Sequence, residues 1–450
     1  MTDLPELDLR TLWHPFTQMG DWMDGRPVVI ERGEGNYLID TEGRRYLDGI
    51  SSMWVNLHGH DHPRIRAAIH TQLDRLAHST LLGLANEPSI ELAARLVELA
   101  PAGLTRVFFS DNGSTAVEIA LKMAFQFWQQ HEDQASRART RFVALKGAYH
   151  GDTLGAVALG GVESFHEIFR PLVFEALRAE NAYCYRCPYG LRYPDCGIHC
   201  LESLEGLLER HGHEVAAVVV EPLVQAAAGI LLLPDGWLKR ARELCTRHGT
   251  LLIVDEVATG FGRTGRMFAC EHEGVTPDLM TIAKGMSAGF LPLAATLTSE
   301  EIFEGFLGPV RDQRQFFHGH SYSGNALACA ASLASLEVFE QEAVLEHVRE
   351  MSEHLARRLE TLRRLPAVGE IRQRGLMVGI ELVQDRATRE PFDAGERIGA
   401  LVCMAIRKHG VILRPLGETI VLMPPLSVQR GEIEHLVDAL AKCIAQVTGE

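Results

Sequence analysis

Buried strands alternate with amphipathic helices along the central part of the chain. Four short apolar segments, at residues 106–110, 216–220, 251–254 and 279–283, are each followed at once by a polar or glycine-rich turn. Such runs are typical of strands that are buried on both faces. The alternation predicts an α/β fold with a mostly parallel sheet covered on both sides. After the first segment, six apolar side chains fall on one helical face: Val117, Ala120, Leu121, Ala124, Phe125 and Trp128.

The pattern changes toward both ends of the chain. Residues 36–40 form a short extended piece among glycine-containing turns. A long helical stretch near residues 328–340 precedes shorter helical and extended pieces, such as residues 411–414. We therefore predict three segments, which are residues 1–60 as the N-terminal part of a smaller domain, residues 61–335 as a large domain, and residues 336–450 as the C-terminal part of the smaller domain.

Composition and charge exclude several classes of protein. The 450 residues carry a formal net charge of −15 and show no basic face, which argues against nucleic-acid binding. The acidic N-terminus lacks the apolar region of a signal peptide. The most apolar stretch, residues 216–233, is interrupted by Glu221, Pro222 and Gln225, so we expect no membrane span. These features favour a cytoplasmic protein that acts on small molecules.

Nine cysteines, an odd number in a chain without a visible signal peptide, argue for reduced thiols. Four of them follow the frame C-x2-C-x8-C-x3-C and admit two interpretations, a structural zinc site or a loop whose thiols happen to be close. The spacing matches no standard zinc finger, so we favour the loop and expect no metal. The four residues are Cys184, Cys187, Cys196 and Cys200.

In parallel sheets, ligands bind beyond the carboxyl ends of the strands, which directs attention to the residues that follow each strand. Gly113 and Ser114 open the helix after the first strand, where free N–H groups favour phosphate. By itself this feature is equally a plain helix cap. Tyr149 and His150 lie in a loop after residues 142–145, and an aromatic ring there could stack on a flat ligand.

Two further residues complete the pattern. Asp255 ends the third strand, and a partly buried carboxylate needs a cationic partner such as a protonated pyridine nitrogen. Lys284 follows the fourth strand among apolar residues and glycines, where desolvation lowers the pKa of an amine and favours imine formation. A phosphate site, a stacking aromatic, an aspartate and a lysine together match the needs of pyridoxal phosphate (PLP).

Residues 260–265 formally match the dinucleotide fingerprint G-x-G-x-x-G and follow a strand. A dinucleotide site also needs a helix that begins there and an acidic residue about 20 positions later. The segment at residues 267–275 is short, and Pro277 soon follows it. This context argues against a dehydrogenase.

The run at residues 251–295, LLIVDEVATGFGRTGRMFACEHEGVTPDLMTIAKGMSAGFLPLAA, resembles the signature of class III aminotransferases. The resemblance covers nearly the whole chain. It implies the PLP fold type I, in which a large domain with a mostly parallel seven-stranded sheet is joined to a smaller α+β domain. It also implies a homodimer with active sites at the subunit interface. In the family, the equivalent of Lys284 forms the imine with PLP and the equivalent of Asp255 pairs with the pyridine nitrogen. The cofactor-binding residues it implies are Gly113, Ser114, Tyr149, His150, Glu221, Asp255, Val257, Lys284, His320 and Ser321.

Four further motifs are similar to one branch of this family, which converts 7-keto-8-aminopelargonate to 7,8-diaminopelargonate in biotin synthesis. The resemblance implies that Arg414 holds the carboxylate of the keto acid, a task suited to a bidentate guanidinium. It implies that His320 and Ser321 reach the phosphate of the neighbouring subunit. The motifs are LWHPFTQM (12–19), ISSMW (50–54), HGHSYSGN (318–325) and LRPLG (413–417). The substrate-binding residues they imply are Phe16, Met53, Trp54, Tyr149, Lys284, Gly319 and Arg414.

Two positions bear on the amino donor. The branch often has a tyrosine where this chain has Phe16, and two tryptophans where it has Met53 and Trp54. These differences favour lysine over S-adenosylmethionine, and both donors stay open. The alternative functions are another class III aminotransferase that acts on an ω-amino acid or diamine, a PLP mutase or racemase, and a non-catalytic binding protein.

Overall fold

The computed structural model describes residues 3–449. Its strands, in chain order, are β1 (Ile30–Glu34), β2 (Tyr37–Asp40), β3 (Arg45–Asp48), β4 (Leu104–Ser110), β5 (Arg141–Leu145), β6 (Leu177–Ala179), β7 (Val215–Val220), β8 (Val224–Gln225), β9 (Leu231–Leu232), β10 (Leu251–Asp255), β11 (Leu279–Ile282), β12 (Ala294–Ser299), β13 (Val368–Arg374), β14 (Met377–Leu382), β15 (Val411–Ile412), β16 (Arg414–Leu416) and β17 (Thr419–Leu422).

Short 3₁₀ turns and α-helices connect these strands. The α-helices are α1 (Leu4–Thr11), α2 (Met19–Met23), α3 (Ser51–Trp54), α4 (Pro63–Leu73), α5 (Glu87–Leu99), α6 (Gly113–Gln129), α7 (Gln134–Arg137), α8 (Leu154–Leu159), α9 (Glu163–His166), α10 (Glu202–His211), α11 (Trp237–Arg247), α12 (Glu300–Glu304), α13 (Ala326–Gln341), α14 (Val344–Leu359), α15 (Ile398–Ala405) and α16 (Arg430–Thr448).

The central sheet has seven strands in the order β4-β12-β11-β10-β7-β5-β6. β12 is antiparallel to both of its neighbours, and the other neighbouring strands are parallel. All six residues of β7 are buried, as expected for a strand covered on both faces. The α/β class and the mostly parallel seven-stranded sheet are thus confirmed, and the four apolar segments correspond to β4, β7, β10 and β11.

Helix α6 begins directly beyond β4 because Asn112 caps it. The Asn112 side chain accepts from the backbone N–H of Thr115, whose hydroxyl interacts in return with the backbone of Asn112. Five of the six residues predicted to share its apolar face are buried, whereas Phe125 is 41% exposed. At about 100° per residue, Phe125 lies at the edge of the buried stripe. The cap and the stripe fix where the helix starts and how it faces the sheet.

The two ends of the chain meet in one small sheet, of order β1-β2-β3-β15, in which β3 and β15 are parallel. A second four-stranded sheet has the order β13-β14-β17-β16. The sequence pattern treated residues 411–414 as one piece, and this is wrong. Leu413 separates β15 from β16, which belong to different sheets. The segment boundaries at residues 60 and 335 stay predictions, and α13 runs across the second without a break.

Residues 260–265 form turns followed by a short 3₁₀ helix, Ala269–Glu273. Arg263 in this segment is buried and donates to the carbonyls of Pro424 (2.6 Å) and Asn56 (3.0 Å). The glycine-rich run therefore fastens distant parts of the chain together. Among residues 3–449, no helix combines the length and apolar character needed to cross a membrane.

Candidate active site

The residues that follow the parallel strands surround one cavity of about 460 Å³ at the carboxyl edge of the central sheet. Nine of the residues predicted for the site line it: Trp54, Gly113, Ser114, Tyr149, His150, Glu221, Asp255, Val257 and Lys284. They come from six separate parts of the chain, which the fold brings together.

One end of the cavity is formed by the N-terminus of α6. A Cβ atom at Gly113 would lie 2.7 Å from Cγ1 of Val257, and one at Gly151 would lie 2.0 Å from Oγ of Ser114. Gly151 also has a φ of +121°, which disfavours any other residue. Glycine at these positions lets the chain pack closely around the positive end of the helix, where free backbone N–H groups suit a phosphate.

Asp255 is 4% exposed and is held by three donors. Its Oδ1 accepts from the backbone N–H of Val257 (3.1 Å) and from the hydroxyl of Thr281 (3.0 Å). Its Oδ2 lies 2.7 Å from Nδ1 of His150. These hydrogen bonds fix the orientation of the carboxylate. Asp255 is therefore suited to hold a cation in the cavity.

Lys284 is half-buried, and burial lowers the pKa of its ammonium group because the charged form loses solvation. Its Nζ lies 5.0 Å from the centroid of the Trp54 ring. Both residues have positive φ angles, +42° for Lys284 and +67° for Trp54. Such conformations cost about 1–3 kcal/mol each and cluster at functional sites. A lowered pKa increases the fraction of neutral, nucleophilic amine.

Glu221 is buried, and burial raises the pKa of its carboxyl group to about 7. It accepts from the backbone N–H groups of Tyr149 (3.1 Å) and Ala226 (2.9 Å). These contacts place a carboxyl group that can change protonation near neutral pH on the wall of the cavity.

Tyr149 belongs to an aromatic cluster beside the cavity. Its hydroxyl donates to Asp152 (2.8 Å), and its ring stacks on His166 with centroids 5.9 Å apart. Phe165 contacts Tyr149 on one side (6.2 Å) and Phe16 on the other (5.3 Å). The cluster holds the Tyr149 ring in place and extends the wall toward the N-terminal segment.

The arrangement fits PLP. The helix N-terminus accepts a phosphate, Asp255 accepts a protonated ring nitrogen, Tyr149 offers an aromatic face, and Lys284 supplies an amine with a lowered pKa. At both glycine positions a Cβ atom would collide with a neighbouring residue of the cavity wall. Each chemical need of the cofactor is thus matched by a residue that the fold brings to the same cavity.

Three predicted substrate-binding residues outside the cavity lining, Phe16, Met53 and Arg414, are connected through Arg414. Nη1 of Arg414 lies 3.5 Å from Sδ of Met53, and its guanidinium lies 5.8 Å from the centroid of the Phe16 ring. Burial lowers the pKa of Arg414. Within residues 3–449, no carboxylate pairs with Arg414. Because Met53 adjoins Trp54, this group lies next to the cavity.

The remaining predicted residues, Gly319, His320 and Ser321, do not line the cavity within this chain. Nδ1 of His320 lies 2.8 Å from Oδ2 of Asp111, which does line it. A Cβ atom at Gly319 would meet nothing within 4 Å. The predicted reach of His320 and Ser321 to a neighbouring subunit is not tested by a single chain and stays a prediction.

Sequence reasoning missed several contributors to the site. Thr281 bonds Asp255 because the two residues pair in register on β11 and β10, which no local pattern reveals. Phe165 and His166 lie on the four-residue helix α9, too short to give a periodic signal. Of these residues, only Asp152 lies close in sequence to a predicted site residue, three positions after Tyr149.

The four clustered cysteines line a small cavity of about 20 Å³ away from the active site. Burial raises the pKa values of the Cys184 and Cys200 thiols. Within residues 3–449, no group of three or more histidine, cysteine, aspartate or glutamate residues is arranged to hold a metal ion. The interpretation as a loop stays a prediction.

The chain belongs to the class III aminotransferases. The model of that family, "Aminotransferase class-III", matches residues 19–444. Members of this class are PLP-dependent transferases, which agrees with the chemistry of the cavity.

Individual proteins within this family are similar to the chain over nearly its whole length. The adenosylmethionine-8-amino-7-oxononanoate aminotransferase of Nitratidesulfovibrio vulgaris is 59% identical over 99% of this chain and 82% of that protein. The protein of the same name from Geobacter sulfurreducens is 53% identical over 99% and 98%. The crystal structure of the protein of that name from Methanocaldococcus jannaschii has a TM-score of 0.93, 44% identity and 98% coverage of both chains. An ω-transaminase from Pseudomonas jessenii in complex with PMP has a TM-score of 0.94 at 30% identity, covering 100% of this chain and 99% of that one.

Proposed function

We propose that this protein transfers an amino group from a donor amine to 8-amino-7-oxononanoate (7-keto-8-aminopelargonate), giving 7,8-diaminononanoate for biotin synthesis. The names of the related proteins support this substrate. The observation that carries the proposal is Arg414. It is a partly buried guanidinium without a carboxylate partner within residues 3–449, and it lies beside Met53 next to the cofactor cavity. A substrate carboxylate would satisfy it in a bidentate contact.

The residues around the cavity perform the proposed chemistry through position and charge. Bound PLP would act as the electron sink for the carbanion formed on the substrate. Asp255, fixed by Thr281 and His150, would keep the ring nitrogen protonated. Lys284 would hold the cofactor covalently. Once released, its Nζ would take a proton from the substrate carbon and return it, a role that the lowered pKa favours.

The active enzyme is proposed to be a homodimer in the cytoplasm. Large apolar side chains stay exposed on the single chain, including Leu82 (90%) and Phe317 (70%). Their two segments are neighbours, since Nε2 of His78 lies 2.7 Å from the carbonyl oxygen of Ser321, and a contiguous exposed apolar patch favours a covering partner. Phe317 adjoins the segment of His320 and Ser321, so a second subunit on this surface would place that segment near a partner's cavity.

The related proteins and the sequence favour different amino donors, and the experiment below distinguishes them. The names of the relatives favour S-adenosylmethionine, whereas Phe16 and Met53 favour lysine. Phe16 lacks a hydroxyl, and its ring contacts only Phe165 and Arg414 among the aromatic and cationic groups within residues 3–449.

The test is a two-stage single-turnover experiment with the purified holoenzyme. Lysine or S-adenosylmethionine is added first, and the absorbance of the cofactor reports whether it accepts an amino group. After removal of the donor, 8-amino-7-oxononanoate is added, and mass spectrometry detects 7,8-diaminononanoate. We expect product in an amount that matches the cofactor, and Lys284→Arg as a control should give none. The proposal would be overturned if the enzyme left 8-amino-7-oxononanoate unchanged and transferred the amino group to the carbonyl compound of an ω-amino acid or a diamine.

A further inference from the structure

The turn formed by α3, which carries Met53 and Trp54, has a strained backbone. Ser51, Ser52 and Trp54 have φ angles of +50°, +62° and +67°, although none of them is glycine. Ser52, with a ψ of −52°, lies in the region of the classic γ-turn, which is rare and strained. Such conformations persist only where the surrounding structure holds them, so the contacts of this turn need an account.

Two serine hydroxyls fasten the α3 turn at its start. Oγ of Ser51 donates to the carbonyl of Met423 (2.7 Å), and Oγ of Ser52 donates to Oδ2 of Asp48 (2.8 Å). A carboxylate accepts a hydrogen bond more strongly than a backbone carbonyl does. The bond from Ser52 to Asp48 is therefore the stronger of the two.

Asp48 lies outside the turn, on a paired strand. It is the last residue of β3, is fully buried, and lies opposite Ile412 of β15. Its Oδ1 accepts from the backbone N–H of Ile50 (3.3 Å), and its Oδ2 lies 3.1 Å from Nε2 of His60. The hydroxyl of Ser52 is thus tied to a group that the small sheet holds in place.

The α3 turn reaches both functional ends of the active site. The ring centroid of Trp54 lies 5.0 Å from Nζ of Lys284. Sδ of Met53 lies 3.5 Å from Nη1 of Arg414, the proposed carboxylate-binding group. Because Met53 and Trp54 are adjacent, a shift of the turn would change both contacts at once.

We propose that Ser52 and Asp48 are positioning residues of the active site. Their hydrogen bond keeps the strained turn in the conformation that places one side chain beside the amine and the next beside the guanidinium. Neither residue lines the cofactor cavity, so both act through Met53 and Trp54. The inference rests on the proposed function only for the acceptor that is used in the kinetic assay.

Two substitutions of Ser52 separate the hydrogen bond from the strain. Ser52→Ala removes the hydroxyl and keeps the strained backbone. Ser52→Gly removes the hydroxyl and the strain together, because glycine adopts positive φ angles readily. The alanine variant should therefore disturb the active site more than the glycine variant does. An effect of added flexibility alone would give the reverse order.

The first readout is kinetic and uses the holoenzyme with 8-amino-7-oxononanoate as acceptor. Ser52→Ala should lower kcat/KM at least about tenfold, the effect of losing one hydrogen bond to a charged group, and Ser52→Gly should lower it less. Cofactor loading, measured by absorbance, should stay normal in both variants, because Asp255 and the N-terminus of α6 lie on other elements. A wild-type kcat/KM in Ser52→Ala, or a lower value in Ser52→Gly than in Ser52→Ala, would overturn the proposal.

Ser136→Ala is the matched control for the loss of a serine–aspartate hydrogen bond. Oγ of Ser136 donates to Oδ2 of Asp133 (3.0 Å), and neither residue lines the cavity. Urea unfolding measures the stability that each alanine variant loses, and only Ser52→Ala should lose kcat/KM as well. An equal loss of kcat/KM in Ser136→Ala would assign the effect to general stability and refute the positioning role.

Hydrogen exchange in the holoenzyme tests the turn directly and does not depend on the acceptor. The N–H of Trp54 donates to the carbonyl of Ile50 (2.9 Å), and the N–H of Val55 donates to that of Ser51 (3.0 Å). Both amides should exchange at least about fivefold faster in Ser52→Ala than in the wild type, and Ser52→Gly should show a smaller increase.

This measurement also separates the inference from the proposed function. If the wild type did not convert 8-amino-7-oxononanoate, the proposed function would fail, whereas faster exchange in Ser52→Ala would still support the hold of Ser52 on the turn. Unchanged exchange of both amides in Ser52→Ala would overturn the inference, whichever acceptor the enzyme uses.

Discussion

Glu221 should make the stability of the cofactor-free protein fall as pH rises, and Glu221→Gln should remove this dependence. Burial raises the pKa of Glu221 to about 7, from its usual 4.5. Between these values the folded protein holds a proton that the unfolded chain has released. The free energy of unfolding therefore falls as pH rises through this window. One pKa unit corresponds to about 1.4 kcal/mol, so the full loss is about 3 kcal/mol.

Glu221→Gln keeps the shape of the side chain and cannot ionise. Its single carbonyl oxygen can serve only one of the two backbone N–H groups, those of Tyr149 and Ala226, that Glu221 accepts from. That loss costs about 1 kcal/mol and does not vary with pH. The free energy of unfolding of the variant, relative to that of the wild type, should therefore be higher by about 2 kcal/mol at about pH 8.5 than at about pH 5.5.

The assay is urea unfolding of cofactor-free wild type and variant at both pH values, with the exposed Glu304→Gln as control. Infrared spectroscopy adds an independent readout, because a protonated carboxyl band should be present in the wild type below neutral pH and weaker in Glu221→Gln. If the difference in unfolding free energy between wild type and Glu221→Gln stayed constant within about 0.5 kcal/mol across this range, the raised pKa would be wrong.

Three further predictions concern the active site. Gly151→Ala should lower cofactor affinity at least about tenfold, because its Cβ would lie 2.0 Å from Oγ of Ser114 at a φ of +121°. Gly431→Ala, where a Cβ would meet nothing within 4 Å, should leave the affinity unchanged, and equal affinities of the two variants in a fluorescence titration would contradict the prediction. Arg414→Met should lower kcat/KM for 8-amino-7-oxononanoate by about 10- to 100-fold through loss of a charged contact, with cofactor loading unchanged; an unaltered kcat/KM would remove Arg414 from the substrate site. Lys284→Ala should prevent covalent attachment, so that borohydride reduction adds the cofactor's mass to the wild type but not to the variant, and added mass on the variant would identify a different lysine.

The sequence alone was enough to predict the class of fold and most of the cofactor cavity. Runs such as residues 216–220 and 251–254 are apolar because both faces of a parallel strand are buried, and this requirement is local and visible. Lys284 and Asp255 stood out because each directly follows such a strand. Eight of the nine predicted residues meet at one cavity because the carboxyl ends of these strands share one edge, and the ninth, Trp54, comes from α3.

Tertiary structure decided the contacts that no local pattern encodes. The hydrogen bonds of Thr281 and His150 to Asp255 depend on strand register and on the position of the loop that carries His150. The break at Leu413 arises because β15 joins a strand from the N-terminal segment while β16 pairs with β17. The hydrogen bond from Arg372 on β13 to the carbonyl of Gly229 in the β8–β9 turn likewise joins residues about 140 positions apart in the chain. Periodicity reports how one residue relates to its neighbours in sequence, whereas these features depend on which distant elements pack together.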